Sequence, residues 1–402
     1  LGGDRGNDRK EAIPIASLAA ALFPSSPPLA IPLFPRGFWG ELCQNVNVWI
    51  TSSLSTAHTP TDIALGNFDG VHLGHQTVIR PILPSPPRAS QVLAAQHLTT
   101  PAALSTLRGY SDRCPLLLDS CDYQSALPPA ERPLDAPSPM PTVVTFYPHP
   151  QEFFSGQSRP WLTPLAEKAA FMKRLGVRQL VLLPFNAELS NLPPEIFVEK
   201  VLLGRLQAQH ISVGADFRFG HQRQGDVPLL KRLAEQQGTQ VTVVDLAQKG
   251  GDRISSSRIR QALCAGDIDQ VQQLLGRPYP LLGRVVKGQQ LGRTLGFPTA
   301  NLRVPPEKFL PRTGVYSAWV YGVAGYPPDQ GWPAVMNLGV RPTVDGQHQS
   351  IEVHLLNWQG DLYGQTLTVA LKGFLRPEQR FDSLDHLKAQ IQADCEAALA
   401  VL

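Results

Sequence analysis

"DIALGNFDGVHLGHQTVI" (Asp62–Ile79) decides how the chain is read. Its first part, Asp62–Phe68, puts Ile, Ala and Leu in a row before turning polar, the pattern of a strand buried on both faces. The residues from His72 to Leu83 read as the helix that follows. Gly66, Gly70 and Gly74 punctuate the junction, and two histidines stand three residues apart. On the first turn of a helix, His72 and His75 share a face. A strand passing through a glycine-bearing turn into a helix suits phosphate, because a helix start offers free N–H groups and partial positive charge. Gly66 and Gly70 suit a tight turn there, and Gly74 leaves room for a ligand. Two solvated loop histidines, or part of a zinc site, are the competing readings, although no third metal ligand is spaced nearby.

The same grammar repeats downstream. "PTVVTFY" (141–147), "QLVLLPF" (179–185), "HISVGADF" (210–217) and "QVTVVDL" (240–246) are strand-like. Between them lie helical patterns at 165–176, 193–206 and 226–238. Alternating apolar strands and helices predict an α/β domain with a doubly wound parallel sheet. After "ISSSRIRQALCAGDIDQVQQLLGRPY" (254–279) the helices drop out. "LLGRVVKG", "GVYSAWVYG", "PAVMNLGV", "SIEVHLLNW" and "QTLTVALKGFL" follow one another with Gly/Pro turns, which predicts a small β-barrel. A last helix carries Leu384, Leu387, Ile391 and Cys395 on one stripe.

This grammar sets the domain map. Residues 48–277 form the α/β domain and 278–402 the barrel with its C-terminal helix. The 38 prolines exceed the usual ~5% share and crowd into two stretches. One lies within 1–47, read as a disordered N-terminal extension. The other lies within 84–140, a Pro-rich insert separating two strands of the sheet, where a few residues would normally suffice.

Composition narrows the partners. The 402 residues are 43% hydrophobic and 17% charged, with a formal net charge of +3. That mild excess suits anionic small molecules and does not predict nucleic-acid binding. No apolar run approaches the ~18 residues of a membrane span. Five scattered cysteines without a CxxC pair suit a reducing compartment, so the expected location is the cytoplasm. A monomer or transient oligomer without nucleic-acid or membrane partner is expected.

Two further motifs carry chemistry. "LGRTLGFPTANL" (291–302) runs from a basic, glycine-bearing loop into an extended segment where Thr299 and Asn301 point the same way. Neutral oxygens of this kind suit Mg²⁺ that also carries phosphate and water. About fifty residues on, "IEVHLLNWQGDLYG" (351–364) places Glu352 in a strand, where a carboxylate can accept a proton from an alcohol attacking a γ-phosphate.

"GNFDGVHLGH" resembles the HxGH signature of nucleotidyltransferases. With "TFYPHP" (145–150), "VGADFRFGHQRQGD" (213–226) and "ISSSRIR" (254–260), it resembles the adenylyltransferase module of bacterial bifunctional FAD synthetases. The barrel motifs, with "MNLGVRPTV" (336–344) and "FLRPEQRFDSLDHLKAQI" (374–391), resemble the riboflavin kinase module of the same family. The resemblance implies that His72, His75 and Arg258 act on the transferred phosphoryl group and the leaving pyrophosphate. It implies that Gly66, Asn67, Phe68, Asp69, Gly74, Ser256 and Ser257 bind ATP and its phosphates. Asp216, Phe217 and Arg223 would line the FMN side, with Phe217 or Phe219 also serving the core. In the kinase module it implies ATP binding by Gly288, Gly292 and Arg293, Mg²⁺ at Thr299 and Asn301, Glu352 as base, and Arg376 beside the flavin. The implied activity uses ATP to phosphorylate riboflavin to FMN and then to adenylylate FMN to FAD. Another HxGH transferase and a non-catalytic flavin sensor are the alternatives.

Overall fold

A computed structural model describes residues 48–84, 138–288, 291–343 and 346–402. The expected extension at 1–47 and nearly all of the insert at 84–140 lie outside the described residues. The chain runs through β1 (Trp49–Thr51), β2 (Thr61–Leu65), α1 (Leu73–Ile79), β3 (Met140–Tyr147), α2 (Pro150–Ser155), α3 (Leu165–Arg174) and β4 (Gln179–Pro184). A π-helical stretch (Phe197–Arg205) leads to β5 (Ala208–Gly214), α4 (Val227–Glu235), β6 (Gln240–Val244) and the hairpin β7 (Gln248–Lys249) with β8 (Asp252–Arg253). Then come α5 (Ser256–Ala265), α6 (Ile268–Leu275), β9 (Tyr279–Val286), a short helix Leu291–Thr294, β10 (Ala300–Arg303) and β11 (Gly314–Tyr321). The chain closes with β12 (Trp332–Thr343), β13 (Gly346–Leu355), β14 (Thr366–Arg376) and α7 (Leu384–Val401).

These elements group into two compact units. The first, within residues 48–66, 138–156 and 178–243, holds the sheet in the order β1-β4-β3-β2-β5-β6. The pairs β1–β4, β4–β3, β3–β2 and β2–β5 are all parallel. Strand order reverses about β2, the doubly wound arrangement expected, and the chain leaves the sheet there for the histidine turn. Ile63, Leu65, Val144, Val181 and Ile211 of the sheet pack with Phe197, Val201 and Leu230 in one apolar core.

The second unit, within residues 67–84, 157–177 and 244–402, holds the histidine turn, α1, α3, α5, α6 and the closed barrel β10-β13-β12-β11-β14-β9. One core joins Ile259 and Leu263 of α5, Leu274 of α6 and the inward residues of the barrel, such as Leu281, Tyr316, Met336 and Val353. The barrel has six strands rather than the five read from hydrophobicity, because the PTAN segment supplies β10. Four residues with one polar side are too short a pattern to stand out before their neighbours in space are known.

Other boundaries differ for local reasons. Strand β2 stops at Leu65, not Phe68, because Phe68 is left-handed with φ 48°. Strand β5 stops at Gly214 because the Phe217 N–H turns back to the Gly214 carbonyl at 3.0 Å. Helix α1 gives way at Arg80 to a tighter turn containing Pro81. The 197–205 stretch adopts i→i+5 pairing, as in the Leu206 N–H to Val201 carbonyl bond of 3.0 Å. On α7, Leu384 of the expected stripe is 65% exposed, and the buried stripe starts later with Ile391, Cys395 and Ala398. No helix among the described residues is long and apolar enough to cross a membrane.

Candidate active sites

His72 is the N-cap of α1 rather than a member of its first turn, with φ −71° and ψ 172°. Its Nδ1 accepts the His75 backbone N–H at 3.2 Å. That bond leaves the neutral ring's proton on Nε2, so Nε2–H is the free donor. The His75 ring stacks on it, with centroids 3.6 Å apart and 14° between planes, and Phe68 meets the His75 edge at 5.3 Å. The rings do share a face, as their spacing implies. Burial drives the His72 pKa down to about 4, and the neighbouring Arg277 and Arg253 charges add to the fall while Asp69 opposes it. His75 is pushed in the same direction, first by burial and then by the charges of His72, Lys168, Arg253 and Arg277. Both are therefore neutral donors near pH 7. His75 Nδ1 is buried and has no hydrogen-bond partner among the described residues.

The expected free N–H groups at the helix start are partly engaged, since the His75 and Gln76 amides both donate to the His72 carbonyl. Gly74 leaves room for the pair itself, because a Cβ would sit 3.2 Å from the His72 ring. The turn's left-handed residues are Phe68, Gly70 and Val71, and Gly66 is not among them. Left-handed Phe and Val are costly, by roughly 1–3 kcal/mol each, and persist only where the surroundings hold them.

The holding groups come from distant parts of the chain. Asp69, 5% exposed, accepts the Leu162 amide at 2.9 Å and the Thr163 amide at 3.4 Å, and pairs closely with Arg260. Its carboxylate is thus an anchor of the turn. Ser256 Oγ donates to the Asp69 carbonyl at 2.7 Å, while Ser255 caps α5 and Ser257 is exposed. The two arginines of "ISSSRIR" diverge. Arg258 donates to the carbonyls of Lys249 (3.0 Å) and Asp252 (3.3 Å) on the β7–β8 hairpin, whereas Arg260 reaches Asp69 and lies over Phe309. Lys168 is buried between the Asn67 carbonyl at 3.4 Å and the Trp161 ring, and desolvation lowers its pKa to about 8. Sequence reading passed over Arg260, Arg277 and Lys168, since nothing in their local patterns distinguishes them from surface cations.

The remaining adenylyltransferase candidates, Gly66, Asp216, Phe217 and Arg223, belong to the first unit. Phe219 is the core aromatic, 5% exposed, and Phe217 stacks on it at 5.7 Å. Asp216 and Arg223 are exposed.

On the barrel, antiparallel register sets Glu352 of β13 opposite Asn301 of β10 and Asn337 of β12. Ala300, Val353 and Met336 next to them face the core, so these three polar residues share the outer face. Thr299 Oγ1 donates to Glu352 Oε2 at 3.3 Å. His354 Nδ1 lies 2.7 Å from the Pro298 carbonyl and fixes the start of the PTAN segment. A Cβ at Gly288 would overlap the Asn301 amide, and one at Gly292 would strike the Phe297 carbonyl and approach Thr299. Gly288 thus leaves room for the Asn301 side chain, and Gly292 for the Phe297 carbonyl. Arg293 lies in the short helix Leu291–Thr294. Arg376 forms a bidentate pair with Asp394 of α7, both bonds 2.8 Å, and its Nη1 donates to the Pro377 carbonyl. The structure so places Arg376 as the clasp between β14 and α7. Thr299 and Asn301 offer hard neutral oxygens beside a carboxylate. No cluster of three His, Cys, Asp or Glu fit for a metal exists among the described residues.

Comparison with known proteins divides the chain into two successive stretches of sequence. A riboflavin kinase family model matches residues 275–402, and an FAD synthetase model matches 54–98 and 132–258. A bifunctional riboflavin kinase/FMN adenylyltransferase of Pseudomonas fluorescens is 38% identical over 350 residues, covering 87% of this chain and 95% of that protein. The Escherichia coli (strain K12) protein of the same description is 41% identical over 253 residues, covering 63% and 79%. A crystal structure described as a macrolide-efflux protein from Streptococcus pneumoniae covers 88% of this chain and 99% of its own, with TM-score 0.65 and 26% identity. With two family models in tandem and a relative matched almost end to end, this chain belongs to the bifunctional riboflavin kinase/FMN adenylyltransferase family, making FMN from riboflavin and FAD from FMN.

Proposed function

We propose that His72 and His75 carry the adenylyl transfer as neutral hydrogen-bond donors, and that Glu352 carries the kinase step as general base. One observation supports the first assignment above others, the stacked, buried, uncharged histidine pair whose His72 Nε2–H is free to donate. The nucleophile in that step is the FMN phosphate, already an anion near neutral pH. It needs no base, and donors aimed at the charge developing on the α-phosphate do the work. Ser256 and Ser257 belong to the phosphate side, and Arg258 offsets the charge of the departing pyrophosphate. Asp216, Phe217 and Arg223 line the FMN side, and Gly66, Asn67 and Phe68 border ATP.

The riboflavin hydroxyl, in contrast, must lose a proton. Glu352, held beside Thr299 and Asn301, takes it. Thr299 and Asn301 would hold Mg²⁺, whose chemistry when bound is to neutralise the ATP phosphates. Gly288, Gly292 and Arg293 border that ATP, and Arg376 shapes the flavin side through its grip on α7. We place the enzyme in the cytoplasm as a monomer or transient oligomer acting on small molecules without nucleic acid or membrane.

The test is a pair of half-reaction assays read by chromatography, riboflavin to FMN and FMN to FAD. His72→Ala should lose only the second and Glu352→Gln only the first. Equal loss of both by either variant would end this division of labour.

A further inference from the structure

Arg277 lies just ahead of β9, two residues before Tyr279, yet it is built into the histidine turn. It is 5% exposed. Its Nη2 donates to the Gly70 carbonyl at 2.9 Å and its Nη1 to the Val71 carbonyl at 3.0 Å. A weaker contact from Nη1 reaches the Leu275 carbonyl at 3.4 Å. The guanidinium carbon sits 3.8 Å from the centroid of the Phe171 ring. Burial lowers the Arg277 pKa only to about 10, so the group stays a cation at neutral pH.

The two carbonyls it grips belong to the left-handed pair in the turn, of which Val71 is the strained member. Gly70 has φ 90° and Val71 φ 40°, and Val71 is bonded directly to His72. A β-branched residue does not hold a left-handed conformation unaided. Gln76 Nε2 also donates to the Val71 carbonyl at 3.1 Å and to the Leu275 carbonyl at 3.0 Å, so the same peptide oxygens are held from two sides. Only a planar fork with two parallel donors spans adjacent carbonyls in this way. A lysine is a single point of attachment, and a glutamine is a neutral donor on a shorter arm.

We propose that Arg277 is a positioning residue for adenylyl transfer, its guanidinium clamping the Gly70 and Val71 carbonyls and so setting the direction of the His72 ring. This rests on the assignment of His72 and His75 as the donor pair. Arg277, which falls within the stretch matched by the riboflavin kinase model, thereby braces the other reaction without touching its substrate.

The experiment uses the full chain with Arg277→Lys and, separately, Arg277→Gln, each assayed on both half-reactions. FAD formation should fall ~30- to 100-fold in kcat, the scale of a misplacement of about 1 Å in a reacting group. KM for FMN and ATP should stay within about threefold and riboflavin phosphorylation within about twofold, because the lost interaction orients and does not bind. The lysine variant should recover little, since it keeps the charge and loses the fork. Unchanged kcat in both variants, a loss confined to KM, or equal loss of both activities would each overturn the proposal. His72→Ala in parallel separates the two ideas. If it leaves FAD formation intact, the histidine assignment fails; if it abolishes FAD formation while both Arg277 variants match wild type, only the role of Arg277 fails.

Discussion

The histidine turn and the outer face of the barrel solve different problems with different materials. At the turn, His72 is 5% exposed, three residues of the loop are left-handed, and arginines from positions 260 and 277 hold it from outside. On the barrel, Thr299, Asn301 and Glu352 are half-buried and stand on regular strands or at their margin, placed mainly by register. On the proposed roles, the difference follows from the nucleophiles. A phosphate that is already anionic needs oriented donors in a dry setting, and burial keeps imidazoles neutral as a by-product. An alcohol needs a carboxylate within reach of its proton, and Glu352 stands on a half-buried strand face. On that assignment, strain and bracing are concentrated where orientation would do the chemistry, and a site that moves a proton can rest on a plain sheet.

Two substitutions should break the comparison most sharply. His72→Ala removes a donor and its stacking partner, so kcat for FAD formation should fall ~10³-fold with riboflavin phosphorylation within twofold. Glu352→Gln keeps the shape and removes the base, so FMN formation should fall by a similar ~10³ while FMN is still adenylylated. Half-reaction kinetics read both, and a kinase defect in the first variant would mean that the turn serves both reactions.

A smaller effect separates the sites by pH. The folded His72 pKa is near 4 against 6.5 in its ordinary state, so the folded protein binds fewer protons than the unfolded chain between those values. The stability linked to this histidine is complete above about pH 6.5 and disappears as pH falls through about 4, a loss of about 3 kcal/mol. His75 acts in the same direction. Denaturant titrations at pH 7 and pH 4 should show the drop, and His72→Asn should reduce it. An NMR titration of His72 with its midpoint near 6.5 would contradict the buried, neutral pair.

The smallest expected effect sharpens the barrel side. A Cβ at Gly288 would overlap the Asn301 amide, so Gly288→Ala must push that side chain aside. A loss of ~10-fold in kinase kcat, about 1.4 kcal/mol, is expected together with a higher Mg²⁺ requirement. FAD formation from FMN should not change. A variant indistinguishable from wild type at every Mg²⁺ concentration would remove Asn301 from the metal site.

Much of this was readable in one dimension because the signals are local. The strand run at Ile63–Leu65 and the spacing of His72 and His75 are periodicities of a few residues, and the structure has β2, α1 and the stacked pair there. Thr299, Asn301 and Glu352 could be named separately for the same reason. Their meeting across β10 and β13 could not, since register depends on strands fifty residues apart. The motif "ISSSRIR" shows the limit. Two residues apart on a helix, Arg258 and Arg260 must point in different directions, but which one meets Asp69 depends on how α5 packs.

Local pattern and composition settle which elements form and which chemical groups are on hand, because backbone geometry and apolar period are short-range properties. The partners of Asp69 and Arg277, some two hundred residues away in sequence, were settled by packing. A buried carbonyl or carboxylate must find a donor, and the donor it finds is the one the folded core brings within reach.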